Sequence, residues 1–362
     1  MKILDKYILK KYFVTFFFTL MILIPIAIAI DVSEKVAKFL KFPDLTANEI
    51  IRDYYFNFII NYGNTFMPLA LFISVILFTS KLSGNTEIIA IHSSGISFKR
   101  FLRPYLIGAS IIALVSLYSN HFVVHKSNKT LEEFSEKYLR TKQKYNKTYV
   151  RKVSLQLSKN DFVFFGNYNL KSNNGYNFSY EKFDGNKLKY KIIGKSINWN
   201  PADSTFKISS FTKRHITEVE DKIESGIVFD TVFNFTPADL LYVDYLAKEL
   251  PSGELAKHID ESESRGVKNL NNYKVELYKR TSLPVSAFIL TIIAVSLSSR
   301  KRRGGIGFSL AIGITLMFVY IFFLKVSEVL GSTAEANPLL MISMPNFIFG
   351  ILAIFLFRYA NK

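Results

Sequence analysis

Few side chains in this sequence could do chemistry, and their spacing suits contact better than catalysis. The stretch "NTEIIAIHSSGISFKRF", residues 85–101, carries one carboxylate, Glu87. Behind it come Ile88, Ile89 and Ile91, a His92-Ser93-Ser94-Gly95 break, and the basic pair Lys99-Arg100. Residues 86–93 fit two helical turns. An acid in the first turn suits the positive end of the helix dipole, and Gly95 suits its termination. A short helix with an apolar side and one carboxylate is the kind of element that seats in a groove on a soluble partner. A helix that merely rests on lipid is the competing reading.

Other polar residues recur at helical spacing. Asn57, Asn61 and Asn64 form a stripe within an apolar run, where they must face protein or a wet cavity. They either bond neighbouring helices or line a path for a polar substrate. Lys35, Lys38 and Lys41 follow the first apolar run and are candidates for holding lipid phosphates, or belong to a solvated segment balanced by Asp31 and Glu34. Lys325 and Glu328 stand three apart and would pair, or Lys325 would meet an amphiphile's head group or snorkel to the interface. Gly305, Ser309 and Gly313 make a small-residue stripe suited to close helix packing. His121 and His125 stand four apart with no third ligand in sight, so no metal site is assigned. The run Gly194-Lys195-Ser196 lacks the glycine five residues upstream that a phosphate-cradling loop needs, because position 189 is lysine. No catalytic triad or carboxylate pair stands out. The chain has no cysteine, which removes disulfides, thiolate metal sites and thiol catalysis.

These residues are positioned by strongly apolar elements. The 362-residue chain is 49% hydrophobic, and six uncharged stretches reach the roughly 20 residues that a bilayer demands. They run 13–30, 54–80, 104–124, 281–299, 304–324 and 336–357. The first is too long for a signal peptide's apolar region and reads as a retained helix. Lys and Arg concentrate in the N-terminal segment, in the loop after the second stretch, in Arg300-Lys301-Arg302-Arg303 and at the C-terminus. That asymmetry places those segments and both termini in the cytoplasm, and it explains a net charge of +17 by topology rather than by nucleic acid. Residues 125–280 form the one large polar block, on the outer side. Short alternating segments rich in aromatics, such as "DFVFFGNY", "YNFSYEKF", "KLKYKIIG", "SINW" and "TFKISSF", predict about seven antiparallel strands. The fold class is therefore an α+β membrane protein: six transmembrane helices with an external antiparallel, jelly-roll-like β domain between helices three and four. Its divisions are 1–124, with a short surface helix near 85–97, then 125–280 with flanking helices, then 281–362.

Three features resemble the LptF/LptG family of lipopolysaccharide export permeases, the LptG branch more than LptF. The opening "LDKYILKKYFVTF" is similar to the family's start. The segment "MPLALFISVILFTSKLSGNTEIIAIHSSGISFKRFLRPYL" is similar to its second helix, coupling helix and third helix, with the Glu-apolar-apolar…Ser-Gly core. The third feature is the order of three helices, a β domain and three helices. The resemblance implies an inner-membrane subunit that takes lipopolysaccharide from the membrane and passes it to a periplasmic bridge of LptC- and LptA-like proteins. It also implies pairing with a second, LptF-like permease and drive from an LptB-like ATPase dimer that uses ATP and Mg, with no cofactor bound by this chain. Carried over by motif, Glu87, Ile88, Ile91, Ser94 and Gly95 are the expected coupling residues. Lys35, Lys38, Asn57, Asn61, Asn64 and Lys325 remain lipid-binding candidates. Two other readings compete. One is a membrane-anchored receptor or structural protein that does not pump. The other is a lipoprotein-release permease, which the six-span count disfavours.

Overall fold

The computed structural model describes residues 2–139, 149–158, 160–217, 220–240, 243–264, 270–300, 305–333 and 336–360. Six helices among them are long and apolar enough to cross a bilayer. The chain divides into two compact units, residues 1–134 with 275–362, and residues 135–274.

In the first unit, α1 (Ile3–Phe39) is a single 37-residue helix with Pro25 inside it, about 55 Å long at 1.5 Å per residue. It runs past the expected apolar stretch at both ends. Asp31, Lys35 and Lys38 therefore lie on its last turns rather than on a loop, because "DVSEKVAKF" offers an Asp31–Lys35 pair at i, i+4. The one-turn helix α2 (Ala47–Glu49) starts at the capping residue Thr46, whose hydroxyl accepts from the Glu49 amide at 3.3 Å. A π-helical turn, Ile50–Tyr55, leads into α3 (Phe56–Gly84). The short α4 (Glu87–Ser93) follows, and then α5 (Phe98–Tyr118), whose N-cap Ser97 accepts from the Arg100 amide at 3.3 Å. A second π-helical turn, Ser119–Val123, passes into α6 (Val124–Phe134).

The second unit holds six described strands: β1 (Tyr149–Gln156), β2 (Asp161–Asn169), β3 (Asn174–Asp184), β4 (Lys187–Asn200), β5 (Thr205–His215) and β6 (Lys222–Thr231). All pairings are antiparallel between consecutive strands, so the described sheet is a meander. The segments "KLKYKIIG" and "SINW" are one strand, β4, because the ladder to β3 and β5 continues through Gly194. One face carries the row Phe165, Phe178, Gly194, Phe211, Gly226, where rings and glycines alternate from Phe178 onward. A Cβ on Gly194 would stand 2.5 Å from the Ile208 side chain, so the rows close tightly. Phe235 and Leu240, beyond β6, complete that aromatic core. The opposite face is mixed and open: Phe164 and Ile193 are exposed there, Lys191 pairs with Glu181 at 2.7 Å, Thr212 Oγ1 lies 3.2 Å from Ser225 Oγ, and Asn198 Nδ2 donates to Asn174 Oδ1 at 3.0 Å. That alternation is what one buried and one solvated face require. The helices α7 (Val243–Glu249) and α8 (Ser252–Ser264) follow the sheet.

The chain returns through α9 (Asn271–Ser298), α10 (Gly305–Gly331) and α11 (Pro338–Ala360). Ser83 donates to the Ser299 carbonyl at 3.0 Å, and Arg300 donates to the Tyr359 carbonyl at 2.5 Å. Together with contacts from Asp5 and Tyr7 described below, these bring the N-terminus, the α3–α5 connection, the end of α9 and the end of α11 to one end of the bundle. Arg300, the one residue of the expected basic loop among those described, lies there too. Gly313 sits where α10 meets α3; a Cβ on it would be 2.2 Å from Ile76 Cδ1. The small-residue stripe thus marks helix packing at this position. Gly307 meets nothing within 4 Å. Accordingly Gly313→Leu should destabilise the bundle by about 1–3 kcal/mol through overpacking, while Gly307→Leu should not. Thermal unfolding of both variants in detergent would check this.

Candidate functional site

The stretch quoted first folds as the sequence predicts. Thr86, with φ 64, and Gly95, with φ +82, both take left-handed backbone on either side of α4 and turn the chain at each end. Glycine adopts this region at no steric cost, whereas a β-branched residue such as Thr86 stores strain there. His92 Nδ1 lies 2.8 Å from the Ile96 carbonyl, and its ring packs against Phe98 and Phe101, closing the elbow between α4 and α5.

The seven residues of α4 have two dissimilar sides. Ile88 is 2% exposed and joins the main apolar core, and Ile91 packs against it. These two isoleucines anchor α4 to the bundle and offer little surface to a partner. Ile89, at 54%, is the exposed apolar side chain. Sequence reasoning gave Ile89 no role, although the helical period separates it from Ile88 and Ile91. Glu87 is half-exposed. Its Oε2 accepts from Tyr7 Oη at 2.8 Å and its Oε1 from Asn85 Nδ2 at 3.2 Å. A carboxylate has about four acceptor positions, so two such bonds orient Glu87 and leave capacity for a further cation. Ser94 Oγ donates to the Ile91 carbonyl at 2.8 Å, and both Ser94 and Gly95 are exposed.

Two of the three stripe asparagines, Asn61 and Asn64, pair helices through their side chains, whereas Asn57 Nδ2 donates to the Asp53 carbonyl of the preceding turn at 3.0 Å. Asn64 Nδ2 donates to Asn120 Oδ1 at 2.8 Å, and Asn120 in turn donates to Ser116 at 3.3 Å. Asn61 donates to Asn128, and Ser127 donates to the Asn57 carbonyl at 2.6 Å. Together these bonds zip α3 to α5 and α6. The π-helical turn at Ser119–Val123 separates His121 from His125, and His121 Nε2 lies 3.3 Å from Thr281 Oγ1. No metal-holding cluster occurs among the described residues. Gly194-Lys195-Ser196 lies inside β4, on extended backbone.

The lysine candidates separate. Lys35 is directed inward: its Nζ donates to Asp31 and to Tyr54 Oη and lies 4.9 Å over the Tyr54 ring. Tyr54 and Tyr55 also donate to Asp31, at 3.2 and 3.4 Å. Lys38 is exposed. Lys325 is exposed as well and pairs with Glu328 at 2.9 Å, and Glu328 also faces Lys279 at 3.6 Å. Of the three, Lys38 and Lys325 leave an ammonium at the surface, whereas Lys35 serves the protein's own packing.

Six membrane-crossing helices with an antiparallel sheet inserted between the third and fourth define a polytopic α+β membrane protein. The family model described as lipopolysaccharide export system permease LptF/LptG matches residues 6–359. The chain belongs to that family. No curated protein matches it.

The arrangement at Lys35 yields a testable outcome. Asp31 is buried and loses its matching cation in Lys35→Met, which should cost about 2–3 kcal/mol, less than the loss of a partner from a fully buried pair because Lys35 is partly exposed. Adding Asp31→Asn should recover much of that loss. The check is unfolding temperature in detergent for the single and double variants.

Proposed function

We propose that this chain is the non-catalytic transmembrane subunit, most like LptG, of an ATP-driven exporter. It would take lipopolysaccharide from the inner membrane and pass it to a periplasmic bridge. Membership in the LptF/LptG family supports the cargo, and the opening residues Leu4-Asp5-Lys6-Tyr7-Ile8 support the branch. The ordering of charge supports an orientation with both termini cytoplasmic and the β domain periplasmic. The partners on this reading are an LptB-like ATPase dimer, a second LptF-like permease, and LptC- and LptA-like proteins.

The observation that carries the reading is α4. Its anchored side, Ile88 and Ile91, fixes it to the bundle, while Glu87 and Ile89 face outward at the end shared with the basic loops. Such a helix gives a cytoplasmic ATPase both an ionic and an apolar hold. The need for a motor follows from the cargo. Exposing lipid chains to water costs roughly 0.8 kcal/mol per CH₂, and nothing in this sequence binds a nucleotide by motif. ATP and Mg are therefore used by the partner. On the outer side, Lys38 and Lys325 are the candidates for lipid phosphates, through charge-assisted hydrogen bonds.

Two measurements test this. Glu87→Ala should weaken docking of the ATP-binding chain by about 1.5–3 kcal/mol, tenfold or more in affinity, and lower transport while the chain still inserts. Equal recovery of the ATPase and unchanged growth would oppose it. Because the sequence has no cysteine, single cysteines at Ser93 and Asn186 can be labelled without background. Ser93 should react only from the cytoplasm and Asn186 only from the periplasm.

A further inference from the structure

The residues that fasten α1 to the α4 elbow have no role in the reading above. Asp5, in the first turn of α1, is nine-tenths buried and receives both arms of Arg100, with Nη1 at 2.6 Å from Oδ1 and Nη2 at 2.8 Å from Oδ2. Asp5 also accepts from the Lys2 amide at 3.0 Å, which fixes its carboxylate against the start of its own helix. Arg100 lies in the first turn of α5, three residues beyond the Ser97 cap and just past α4. Two residues after Asp5, Tyr7 holds Glu87 at the beginning of α4. One turn of α1 therefore grips the α4 segment on both flanks, at the residue that opens it and at the residue that follows its return.

Two-armed Arg–carboxylate contacts hold orientation as well as distance, and a buried one tolerates no loss of a single partner. Displacement of α4 must then move the end of α1 with it. Further along, Tyr12 keeps α1 on the bundle: a Cβ on Gly108 would be 2.7 Å from the Tyr12 ring, and that ring meets Phe78 and Tyr105 edge-on. Past Tyr12 only one side of the helix stays covered, at Phe16 and Thr19, while Phe17, Phe18, Met21 and Ile26 are exposed. Pro25 interrupts its hydrogen-bond ladder in that region, which is where helices bend.

We infer that the Asp5–Arg100 pair, seconded by Tyr7, is the link through which movement of α4 is delivered to α1, making Asp5 and Arg100 positioning residues for transport. This rests on α4 being the ATPase docking element. The link should be dispensable for docking and for ATP hydrolysis, and necessary for converting hydrolysis into lipid movement.

The experiment uses the full chain with its partner permease and ATPase in nanodiscs containing lipopolysaccharide. Its readouts are recovery of the ATPase, ATP hydrolysis, lipopolysaccharide released per ATP, and the distance distribution between labels on Lys2→Cys and Lys99→Cys. Asp5→Asn should leave recovery and hydrolysis within about twofold of the parent, broaden the label distances, and lower lipid released per ATP by about fivefold or more. The exchanged pair, Asp5→Arg with Arg100→Asp, should narrow the distances again and restore most of the lipid yield. Should Asp5→Asn fail to insert, Arg100→Lys, which keeps the charge and loses the fork, carries the same test. Unchanged lipid per ATP in these variants overturns the link, as does a loss of yield that the exchange leaves in place. If the parent complex recovers no ATP-binding chain, the docking reading itself falls and takes this one with it. If recovery is normal and lipid per ATP never moves, only the link falls.

Discussion

Hydrocarbon does not solvate an ion, so a carboxylate on a peripheral transmembrane helix must be matched by the protein itself. Of the three carboxylates on the first helix, Glu34 is exposed, and Asp5 and Asp31 are buried, one near each end. Asp5 is matched by Arg100, and Asp31 by Lys35 with the hydroxyls of Tyr54 and Tyr55. Between them the contacts are apolar and one-sided, through Ile8, Tyr12 and Phe16, and the other side of α1 is bare. The helix is thus fastened by charge at its extremities and by packing along one flank. This fixes where Tyr7 meets Glu87, and it removes Lys35 from the set of cations open to an external anion.

Charge also joins α9 to α10, where Lys279 lies 2.9 Å from Glu276 and 3.6 Å from Glu328, while the neutral polar groups are used differently. Asn64, Asn120 and Ser116 form one junction, and Ser282, Asn346 and Tyr320 another, where Asn346 Nδ2 donates to the Ser282 carbonyl at 2.8 Å and Asn346 Oδ1 accepts from Tyr320 Oη at 2.9 Å. Interhelical amide bonds of this kind are individually modest in a membrane, but they fix rotation and register. They bind α3 to α5 and join α9, α10 and α11. The body of the bundle is therefore cross-bonded, and α1 adds an ionic fastening near each end and a long exposed face.

Much of this was legible in the residues. The six apolar stretches announce the helices, the glycine at position 95 announces the end of α4, and aromatic alternation announces the strands. What was not legible depended on neighbours far away in sequence. The period-two pattern breaks at Gly194, which suggests two strands. Only the aromatic side chains opposite reveal that the glycine fills a space in a continuous β4. The lysines after the first apolar run looked like a loop because charge usually ends a transmembrane helix, yet the i, i+4 pairing of Asp31 with Lys35 carries the helix on. The asparagine stripe admitted two uses, and the partners that Asn64 and Asn61 find, Asn120 and Asn128, lie more than fifty residues away. Asp5 and Arg100 are 95 positions apart, and no local spacing could join them.

The least expected placement, Ile88 in the core, has the most bearing on how α4 could work. A docking helix whose isoleucines all faced a partner would be tethered to its own chain only by flexible turns, and any displacement imposed on it would be absorbed there. Burying Ile88 and half-burying Ile91 gives up contact area but attaches the helix to the bundle. The left-handed residues at positions 86 and 95 shorten both connections to tight turns. Force applied through Glu87 and Ile89 then has somewhere to go. On the proposed reading, affinity and transmission are separate demands on seven residues, and this helix meets them on opposite sides: the exposed side sets how strongly a partner holds, and the buried side sets how much of the partner's movement the membrane helices receive.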